Sequence, residues 1–345
     1  MLNGKSILVT GGTGSFGQAF CRYVLTHFKP ARLIVYSRDE FKQSVMQEEP
    51  IFQHPSMRYF LGDIRDLQRL TKAMVGVDYV VHAAALKQVP AAEYNPNEFI
   101  HTNILGSVNV CEAALANHVE CAIALSTDKA VTPINLYGAT KLCAEKSFIA
   151  NNSYAGKNRT RFSVVRYGNV LGSRGSVIPL FLRQQEQGVV TITDPRMTRF
   201  FITLEQGVKF VLQSLLSTQG GEIFIPKLAS CTITDLAKII VPHCSQKIIG
   251  LRPGEKLHET LIPLEESRSV YDCGKYYIIT PQMPYWSREM DWSAHGKLCE
   301  ESFSYTSENN TQWLTKASVL RWLKGYLEEK KFKQNHAKHL LTTCR

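Results

Sequence analysis

Asp128 and Lys129 stand side by side directly after the apolar run CAIAL and shortly before the pair Tyr137 and Lys141. Charged side chains at the end of a buried strand are costly unless they are exposed, paired or used in chemistry. Tyrosine and lysine four residues apart lie one turn apart on the same face of a helix. The ammonium lowers the pKa of the phenol and can hold a ribose hydroxyl. The pattern predicts hydride transfer at a secondary alcohol, with tyrosinate taking the hydroxyl proton.

The elements that must position these residues follow from the distribution of apolar runs. Six short runs rich in Val, Ile and aromatic residues alternate with helix-length segments up to about residue 170. Runs of this kind, mostly without polar alternation, are typical of strands buried on both faces of a parallel sheet. The sequence therefore predicts an α/β fold with a Rossmann-like doubly wound parallel sheet. The runs are SILVT, RLIVYS, MRYFLGD, DYVVHAAA, CAIALS and FSVVRYGNV.

In this arrangement CAIALS is the fifth strand, and Thr127, Asp128 and Lys129 follow its carboxyl end. Ligands bind at the carboxyl ends of strands in an open α/β sheet. We therefore predict that these three residues face a substrate. The alternative is an exposed Asp–Lys ion pair, which contributes little to stability.

A glycine-rich turn follows the first strand and opens a helix. Glycine is needed where the chain turns tightly, where backbone approaches a pyrophosphate and where the helix packs on the strand. The helix N-terminus then favours anionic phosphates through its N–H groups and dipole. The turn predicts a dinucleotide site, the alternative being a merely tight turn. The residues expected to bind the dinucleotide here are Gly11, Thr13, Gly14, Ser15, Phe16 and Gly17.

The end of the second strand bears on the choice of cofactor. An NAD site usually has an acidic residue here for the ribose hydroxyls, whereas Ser37 and Arg38 suit the 2′-phosphate of NADP. Asp39, Glu40 and Lys42 follow, and Asp39 could still reach the ribose. We predict NADP, with all five residues near the cofactor.

Two further strand ends carry candidate cofactor contacts. Asp63, after the third strand, could accept a hydrogen bond from the adenine amino group, or cap the next helix. After the fourth strand, the small residues Ala83 to Ala85 allow a ribose to lie close to the backbone. Lys87 then stands where a nicotinamide and a sugar diphosphate would meet.

Composition indicates an ordinary globular protein of 345 residues, with 44% hydrophobic and 20% charged residues. No apolar run approaches the roughly 18 residues of a membrane span, and the chain begins with a strand, so we expect a cytoplasmic protein without a signal peptide. Nine scattered cysteines indicate free thiols and no metal site. Of the net charge of +10, half comes from the basic residues 321–345, so we expect no nucleic-acid partner.

Residues 3 to about 265 closely resemble the soluble bacterial UDP-N-acetylglucosamine 4,6-dehydratases (inverting), extended short-chain dehydrogenase/reductase proteins that begin pseudaminic acid synthesis. The resemblance implies NADP, UDP-N-acetylglucosamine and a homo-oligomer, a dimer or hexamer. The membrane-bound relatives have an N-terminal transmembrane region, which we do not expect in this protein. The motifs are TGGTGSFG, YSRDE, GDIRD, HAAALK, STDKA, NLYGATK, RYGNVLGSRGSV, RMTRF and RPGEKLHE.

The resemblance also implies a division of the chain. The NADP-binding domain is expected at 1–168, with 200–226 returning to it. A smaller UDP-sugar-binding domain is expected at 169–199 and 227–290, followed by a C-terminal extension at 291–345. Further cofactor contacts implied are Ile64, Thr102 and Val170. The substrate contacts implied are Lys87, Asn169, Arg174, Thr193, Arg199, Arg252 and Glu255.

The resemblance gives the Asp–Lys pair a chemical role. Oxidation of carbon 4 acidifies the proton on carbon 5, so that a base can remove it while an acid helps the hydroxyl on carbon 6 to leave. Asp128 and Lys129 supply two titratable groups, and a desolvated lysine can act as the base. Thr127, Tyr137 and Lys141 complete the expected catalytic set. Which group reprotonates carbon 5 stays open.

Two other classes also stay open. A UDP-hexose 4-epimerase shares the cofactor site and the Tyr–Lys pair but does not need Asp128 and Lys129. Retaining 4,6-dehydratases have Asp-Glu at this position, so the lysine differs from them. A non-enzymatic NADP-sensing protein on the same fold usually lacks the Tyr or Lys of the pair, whereas Tyr137 and Lys141 are both present.

Overall fold

The computed structural model describes residues 2–156, 160–173, 175–283 and 291–328. Contacts between residues divide the chain into two compact units, each built from three segments. The first unit consists of Met1–Gly168, Ile202–Lys227 and Glu259–Thr306. The second unit consists of Asn169–Phe201, Leu228–His258 and Ser307–Arg345.

This division differs from the sequence-based one after residue 258. Residues 259–290 were expected in the sugar-binding domain and 291–306 in a C-terminal extension, whereas both segments lie in the first unit. The reason is strand pairing: three strands within this part of the chain add to the large sheet of the first unit.

The described residues form the following strands and helices. The strands are β1 Ser6–Thr10, β2 Arg32–Ser37, β3 Met57–Leu61, β4 Tyr79–His82, β5 Cys121–Thr127, β6 Arg161–Tyr167, β7 Asn169–Val170, β8 Val189–Ile192, β9 Thr198–Ile202, β10 Ile223–Pro226, β11 Ala229–Thr232, β12 Ser245–Ile248, β13 Thr260–Ile262, β14 Val270–Asp272, β15 Tyr276–Ile279, β16 Lys297–Leu298 and β17 Tyr305–Thr306. The α-helices are α1 Ser15–His27, α2 Glu40–Gln47, α3 Leu67–Ala73, α4 Val89–Tyr94, α5 Pro96–Phe99, α6 Gly106–Ala116, α7 Leu136–Ala150, α8 Val177–Gln184, α9 Leu204–Ser217 and α10 Ile233–Ile240. A further helix covers 316–328. In the part of the chain that the structure describes, none of the helices has the length and apolar character needed to cross a membrane.

The first unit is built on a ten-stranded sheet in the order β16-β14-β15-β10-β6-β5-β4-β1-β2-β3. The seven strands from β10 to β3 are parallel, and the other three are antiparallel. The predicted α/β fold with a doubly wound parallel sheet is therefore confirmed. Register places Thr10 beside His82 and His82 beside Ala124, so β1, β4 and β5 end at one edge. The loops that follow these three strands, which carry the predicted site residues within 11–17, 83–87 and 128–129, leave the sheet at that edge.

The chain leaves β5 through a short 3-10 turn, Asp128–Ala130, and then enters α7. The side chain of Asn135 caps α7 by accepting a hydrogen bond of 2.8 Å from the backbone N–H of Gly138. A Cβ atom at Gly138 would lie 2.1 Å from the carbonyl oxygen of Lys129. Only glycine therefore allows the first turn of α7, with Tyr137, to pack directly against the turn that carries Asp128 and Lys129.

The second unit has a hydrophobic core of its own, to which the helix 316–328 contributes Val319 and Leu323. The predicted C-terminal extension is thus not a separate body: residues 307–328 belong to this unit, and 329–345 lie outside the described residues. Other buried members of the core are Leu171, Ile178, Phe181, Val190, Ile192, Met197, Phe201, Leu236 and Ile240.

Candidate active site

The Asp128–Lys129 pair at the end of β5 is neither exposed nor isolated. Asp128 is fully buried, and its Oδ1 accepts hydrogen bonds of 2.9 Å from the hydroxyl of Thr127 and the Nζ of Lys129. Its Oδ2 is buried and has no hydrogen-bond partner among the described residues. A second buried carboxylate, Glu259, lies 3.3 Å from the same Nζ. An exposed ion pair, the alternative left open by the sequence, is excluded.

The environment of Lys129 differs from the one expected. Its side chain is 25% exposed and contacts two carboxylates, so it is not the desolvated amine of the sequence analysis. Opposite charges at such distances favour the protonated form of an amine. Any role as a base therefore depends on how Asp128 and Glu259 hold its proton.

Tyr137 lies in the first turn of α7, packed against Ala92 and Phe99. Burial raises the pKa of Tyr137 to about 12, while the charge of Lys129 and a hydrogen bond with Thr127 act in the opposite direction. The sequence analysis expected Lys141 to lower the pKa of this phenol. In the structure it is the charge of Lys129 that opposes the rise in the pKa of Tyr137 caused by burial, while the charge of Asp128 adds to the rise, so Tyr137 is linked to the Asp–Lys pair.

Lys141 lies one turn along α7 from Tyr137 and is buried, with its Nζ donating a hydrogen bond of 2.8 Å to the carbonyl of Leu125 on β5. Burial lowers the pKa of Lys141 to about 8, although the charge of Glu145 partly compensates. Tyr137 and Lys141 both lie in α7, four residues apart, as the spacing in the sequence predicted.

A buried cluster of charged residues joins α7 to β6, and it was not predicted from the sequence. The guanidinium of Arg166 on β6 pairs with Glu145 and Glu266, both at 2.8 Å, and donates a hydrogen bond of 2.9 Å to the carbonyl of Leu261. Arg166 and Glu145 are 1% exposed. The signal was present, because an arginine inside a strand buried on both faces requires carboxylate partners.

The glycine-rich turn has the shape that a dinucleotide requires. Gly11 has a φ of +65°, and a Cβ there would lie 2.9 Å from the backbone of Ala84. A Cβ at Gly17 would lie 2.5 Å from Gly12, so the helix α1 packs tightly on the turn. A Cβ at Gly14 would meet only one atom, the carbonyl oxygen of Gly11 at 3.1 Å. The space before Gly14 is therefore open, as the approach of a pyrophosphate demands.

The other predicted residues of the glycine-rich turn lie at its end and in the first turn of α1. Thr13 is buried and its carbonyl accepts a hydrogen bond of 3.1 Å from Gln18. Ser15 and Phe16 form the first residues of α1. Because Gly14 precedes the helix without a side-chain cap, the N–H groups of this first turn remain suitable for phosphate oxygens.

The residues after β2 are divided in their roles. Arg38 has a half-exposed side chain, 3.7 Å from Asp63. Asp39 caps α2 by accepting from the N–H of Lys42 and also pairs with the Lys42 ammonium. Ser37 accepts a hydrogen bond of 3.0 Å from the Gln43 amide. The carboxylate of Asp39 is thus engaged locally, and Arg38 is the stronger candidate for a phosphate. Glu40 is the first residue of α2.

Asp63 binds Arg65 and does not cap α3, which is capped by Asp66. Burial alone raises the pKa of Asp63, but the hydrogen bonds and charge of Arg65 outweigh it and hold the pKa below its usual value. Ile64 is buried and would lie 2.7 Å from a Cβ at Gly106. The capping alternative for Asp63 is therefore excluded.

The loop after β4 carries Ala83, Ala85 and Lys87 and is fixed by a residue that the sequence analysis did not single out. The side chain of Asn103 bonds both the N–H and the carbonyl of Leu86 at 2.9 Å. Lys87 remains exposed, yet partial desolvation and the charge of Lys129 lower its pKa. Lys87 and Lys129 therefore lie near one another.

Thr102 lies in a π-helical segment, Ile100–Leu105, before α6. Its hydroxyl is buried and has no hydrogen-bond partner among the described residues. A buried hydroxyl in this state is what an external polar group would satisfy. Together with the open face of Gly14, it fits a bound dinucleotide.

In the second unit Arg199 is buried, and its guanidinium donates to the carbonyls of Thr198, Lys256 and Leu257 at 2.7, 2.8 and 2.9 Å. Three of the five N–H donors expected to bind a phosphate are thus engaged with backbone carbonyls, because a buried guanidinium must satisfy its N–H groups. Arg199 therefore holds the loop that contains Lys256.

The other predicted substrate residues of the second unit lie in a turn, beside a methionine, in a short strand and outside the described residues. Arg252 has a half-exposed side chain 3.8 Å from Glu255, in a turn closed by a hydrogen bond of 3.1 Å from the Glu255 N–H to the Arg252 carbonyl. The Thr193 hydroxyl contacts the sulfur of Met197 at 3.4 Å. Asn169 and Val170 form β7, and Arg174 lies outside the described residues.

Comparison with known proteins extends this picture beyond the geometry. The family model described as "Polysaccharide biosynthesis protein" matches residues 7–281. A UDP-N-acetylglucosamine 4,6-dehydratase (inverting) from Campylobacter jejuni strain 81-176 is 53% identical over 327 residues, 93% of this chain and 97% of the relative. A UDP-glucose 4-epimerase from Rickettsia canadensis is 41% identical over 321 residues, 88% and 91% of the two chains.

A solved structure shares the fold over nearly the whole chain. The X-ray structure of Pen from Bacillus thuringiensis superposes with a TM-score of 0.86 at 36% identity, covering 94% of this chain and 99% of that chain. The similarity therefore includes residues of both units.

Proposed function

The chain belongs to the polysaccharide biosynthesis protein family, and from this premise we propose that it is an NADP-dependent UDP-N-acetylglucosamine 4,6-dehydratase that inverts carbon 5. The product is UDP-2-acetamido-2,6-dideoxy-β-L-arabino-hex-4-ulose. The reaction is the first step of pseudaminic acid synthesis for flagellin or a surface glycan. The dehydratase relative from Campylobacter, with more than half of its residues identical, supports this choice.

One observation carries the proposal: a buried carboxyl, Asp128, touches the amine of Lys129 next to the phenol of Tyr137. Oxidation and re-reduction of one carbon need only the phenol and a hydride acceptor. Elimination of water across carbons 5 and 6 needs an acid and a base as well. Asp128 and Lys129 supply both an acid and a base, and they follow the carboxyl end of a parallel strand, where ligands bind in folds of this class.

The side chains divide the work as follows. Tyr137 takes the proton of the hydroxyl on carbon 4, and the ammonium charge of Lys129 makes this easier. A bound nicotinamide dinucleotide supplies the hydride chemistry at carbons 4 and 6. After oxidation of carbon 4, the Lys129 ammonium passes its proton to Asp128 across their contact of 2.9 Å, which leaves a neutral amine and a carboxylic acid. The amine of Lys129 then removes the proton on carbon 5, and Asp128 gives its proton to the departing hydroxyl on carbon 6. Lys141 orients the ribose from the same face of α7, with Thr127 bonded to Asp128.

The binding residues follow the same division. The turn from Gly11 to Gly17 holds the pyrophosphate, Arg38 the 2′-phosphate and Asp63 the adenine. In the second unit, Arg252 is the stronger candidate for the sugar diphosphate, because the donors of Arg199 are engaged with backbone.

By resemblance to the family, we also propose a cytoplasmic homo-oligomer, a dimer or hexamer, which light scattering tests.

A UDP-sugar 4-epimerase is the second candidate, favoured by the relative from Rickettsia. Incubation of the protein with UDP-N-acetylglucosamine and NADP, followed by proton NMR, separates the two. The dehydratase yields a new methyl doublet from a 6-deoxy sugar. Formation of UDP-N-acetylgalactosamine without a methyl signal would show an epimerase, and unchanged substrate would contradict both.

A further inference from the structure

The amine of Lys129 lies between two carboxylates, 2.9 Å from Oδ1 of Asp128 and 3.3 Å from Oε1 of Glu259. The side chains of Asp128 and Glu259 are 0% and 3% exposed, whereas that of Lys129 is 25% exposed. The two carboxylates are thus inside the protein, and the amine reaches the boundary with solvent. The two buried carboxylates therefore hold the amine of Lys129 at the protein surface.

The position of Glu259 is fixed by the fold. It directly precedes β13, which lies beside the turn Asp128–Ala130. β13 pairs with β17 through Thr260 and Thr306, and its Leu261 is fully buried. The carbonyl of Leu261 accepts the hydrogen bond of Arg166, which is itself anchored to Glu145 on α7. Glu259 therefore has the same rigid support as the helix that carries Tyr137.

Several titratable groups of the first unit act on the amine of Lys129. Asp128 and Glu259 contact it, and Lys87 and Tyr137 interact with it electrostatically. An anion at this distance stabilises the ammonium and raises the pKa of the amine. Glu259 is the only one of the two contacting carboxylates that the proposed mechanism does not already use.

We propose that Glu259 is a positioning residue that fixes the Lys129 side chain and sets how readily its ammonium loses a proton. The inference rests on the proposed function, in which Lys129 is the base. A base is most effective when its pKa lies near the working pH. In the proposed mechanism Asp128 takes part in proton transfer, whereas Glu259 contacts the same amine and does not.

The sign of the effect of Glu259→Gln follows directly. The amide has nearly the same size as the carboxyl but lacks the charge, so the ammonium of Lys129 loses one stabilising anion. We expect the pKa of Lys129 to fall by about one unit or more. Because the base must be neutral, the ascending limb of kcat/KM against pH should move to lower pH by a similar amount. A purely structural role would reduce kcat without moving this limb.

The pKa of Lys129 can be measured without any turnover. Trace labelling with acetic anhydride across a pH series, read by mass spectrometry of the peptide that contains Lys129, reports the fraction of neutral amine. Wild type, Glu259→Gln and Glu205→Gln are compared. Glu205 forms an ion pair with Lys209 on the exposed face of α9, so its variant is a matched loss of a Glu–Lys pair elsewhere. Only Glu259→Gln should shift the labelling curve of Lys129.

A conservative variant keeps the test decisive if Glu259→Gln does not fold. Glu259→Asp retains the charge but moves the carboxylate away from the amine by about one methylene, so its labelling curve should shift to lower pH than wild type, by less than that of Glu259→Gln. A labelling curve for Lys129 that is identical to wild type in Glu259→Gln, or in Glu259→Asp where Glu259→Gln does not fold, overturns the inference. A wild-type protein that makes no 6-deoxy product contradicts the proposed function instead, and the labelling result does not depend on it.

Discussion

The Nζ of Lys141 donates a hydrogen bond of 2.8 Å to the backbone carbonyl of Leu125, which ties α7 to the strand that ends at Thr127. The amine is buried, and burial lowers its pKa from 10.5 to about 8. The same bond orients the residue that the proposal places at the cofactor ribose. Its protonation is thus coupled to the stability of the fold.

We expect this coupling to appear in the pH dependence of unfolding. Between pH 8 and 10.5 the unfolded chain keeps the Lys141 proton while the folded chain has lost it. The unfolded state therefore binds more protons, and the free energy of unfolding rises with pH in this window, by on the order of 3 kcal/mol. Urea denaturation of wild type and Lys141→Met across the window measures the difference. Parallel curves for the two proteins would contradict the buried amine.

Cofactor preference should depend on Arg38. Its pair with Asp63 is long and half-exposed, so binding a 2′-phosphate costs little of that interaction. Loss of charge-assisted hydrogen bonds should weaken NADP binding by roughly ten- to a hundredfold in Arg38→Ala while leaving NAD nearly unchanged. Titration of protein fluorescence with each nucleotide measures both affinities. Arg65→Ala, which removes the other arginine on Asp63, is the control and should affect the two nucleotides equally. Equal losses in Arg38→Ala would remove the case for NADP.

The glycine-rich turn allows binding and packing to be separated. A Cβ at Gly14 meets one carbonyl oxygen at 3.1 Å and otherwise projects into open space, whereas a Cβ at Gly17 would overlap Gly12 at 2.5 Å. Gly14→Ala should therefore abolish dinucleotide binding with little change in melting temperature, while Gly17→Ala should lower both. Calorimetry with and without nucleotide tests this. Normal nucleotide affinity in Gly14→Ala would mean that the pyrophosphate binds elsewhere.

The buried cluster around Arg166 should matter for stability. Arg166→Met leaves Glu145 and Glu266 facing each other without the guanidinium, and breaking a buried ion pair costs about 3–5 kcal/mol. Arg196→Met, which removes an exposed pair with Asp194, should change stability little. Urea unfolding at neutral pH compares the two variants. Similar small effects in both would mean that the cluster does not support α7 as described.

Much of the site was predictable because it follows from local patterns. The apolar run before Thr127 places Asp128 at a strand end, the spacing of Tyr137 and Lys141 requires a shared helix face, and the glycines identify the first turn. Each of these inferences uses residues that are close in the chain. The structure confirms the sheet from which they follow.

The remaining features depend on contacts between distant parts of the chain. Glu259 reaches Lys129 only because β13 lies beside the turn after β5, and no local pattern shows this pairing. Arg199 looked like a phosphate ligand, but the fold uses its donors on backbone carbonyls. Asp39 looked available for a ribose, but it caps α2. Polar side chains have several possible partners in sequence, and only the tertiary structure selects among them.

The central claim is that Tyr137 serves oxidation at carbon 4 and Lys129 serves elimination. Incubation with UDP-N-acetylglucosamine and NADP in heavy water follows both steps, since absorbance reports the reduced nicotinamide and NMR reports deuterium at carbon 5. Lys129→Ala should still form enzyme-bound NADPH but lose deuterium incorporation, with dehydration reduced about a hundred- to ten-thousandfold. Tyr137→Phe should suppress NADPH formation itself. Equal loss of NADPH formation in the two variants, or a merely severalfold loss of dehydration in Lys129→Ala, would contradict this division of roles.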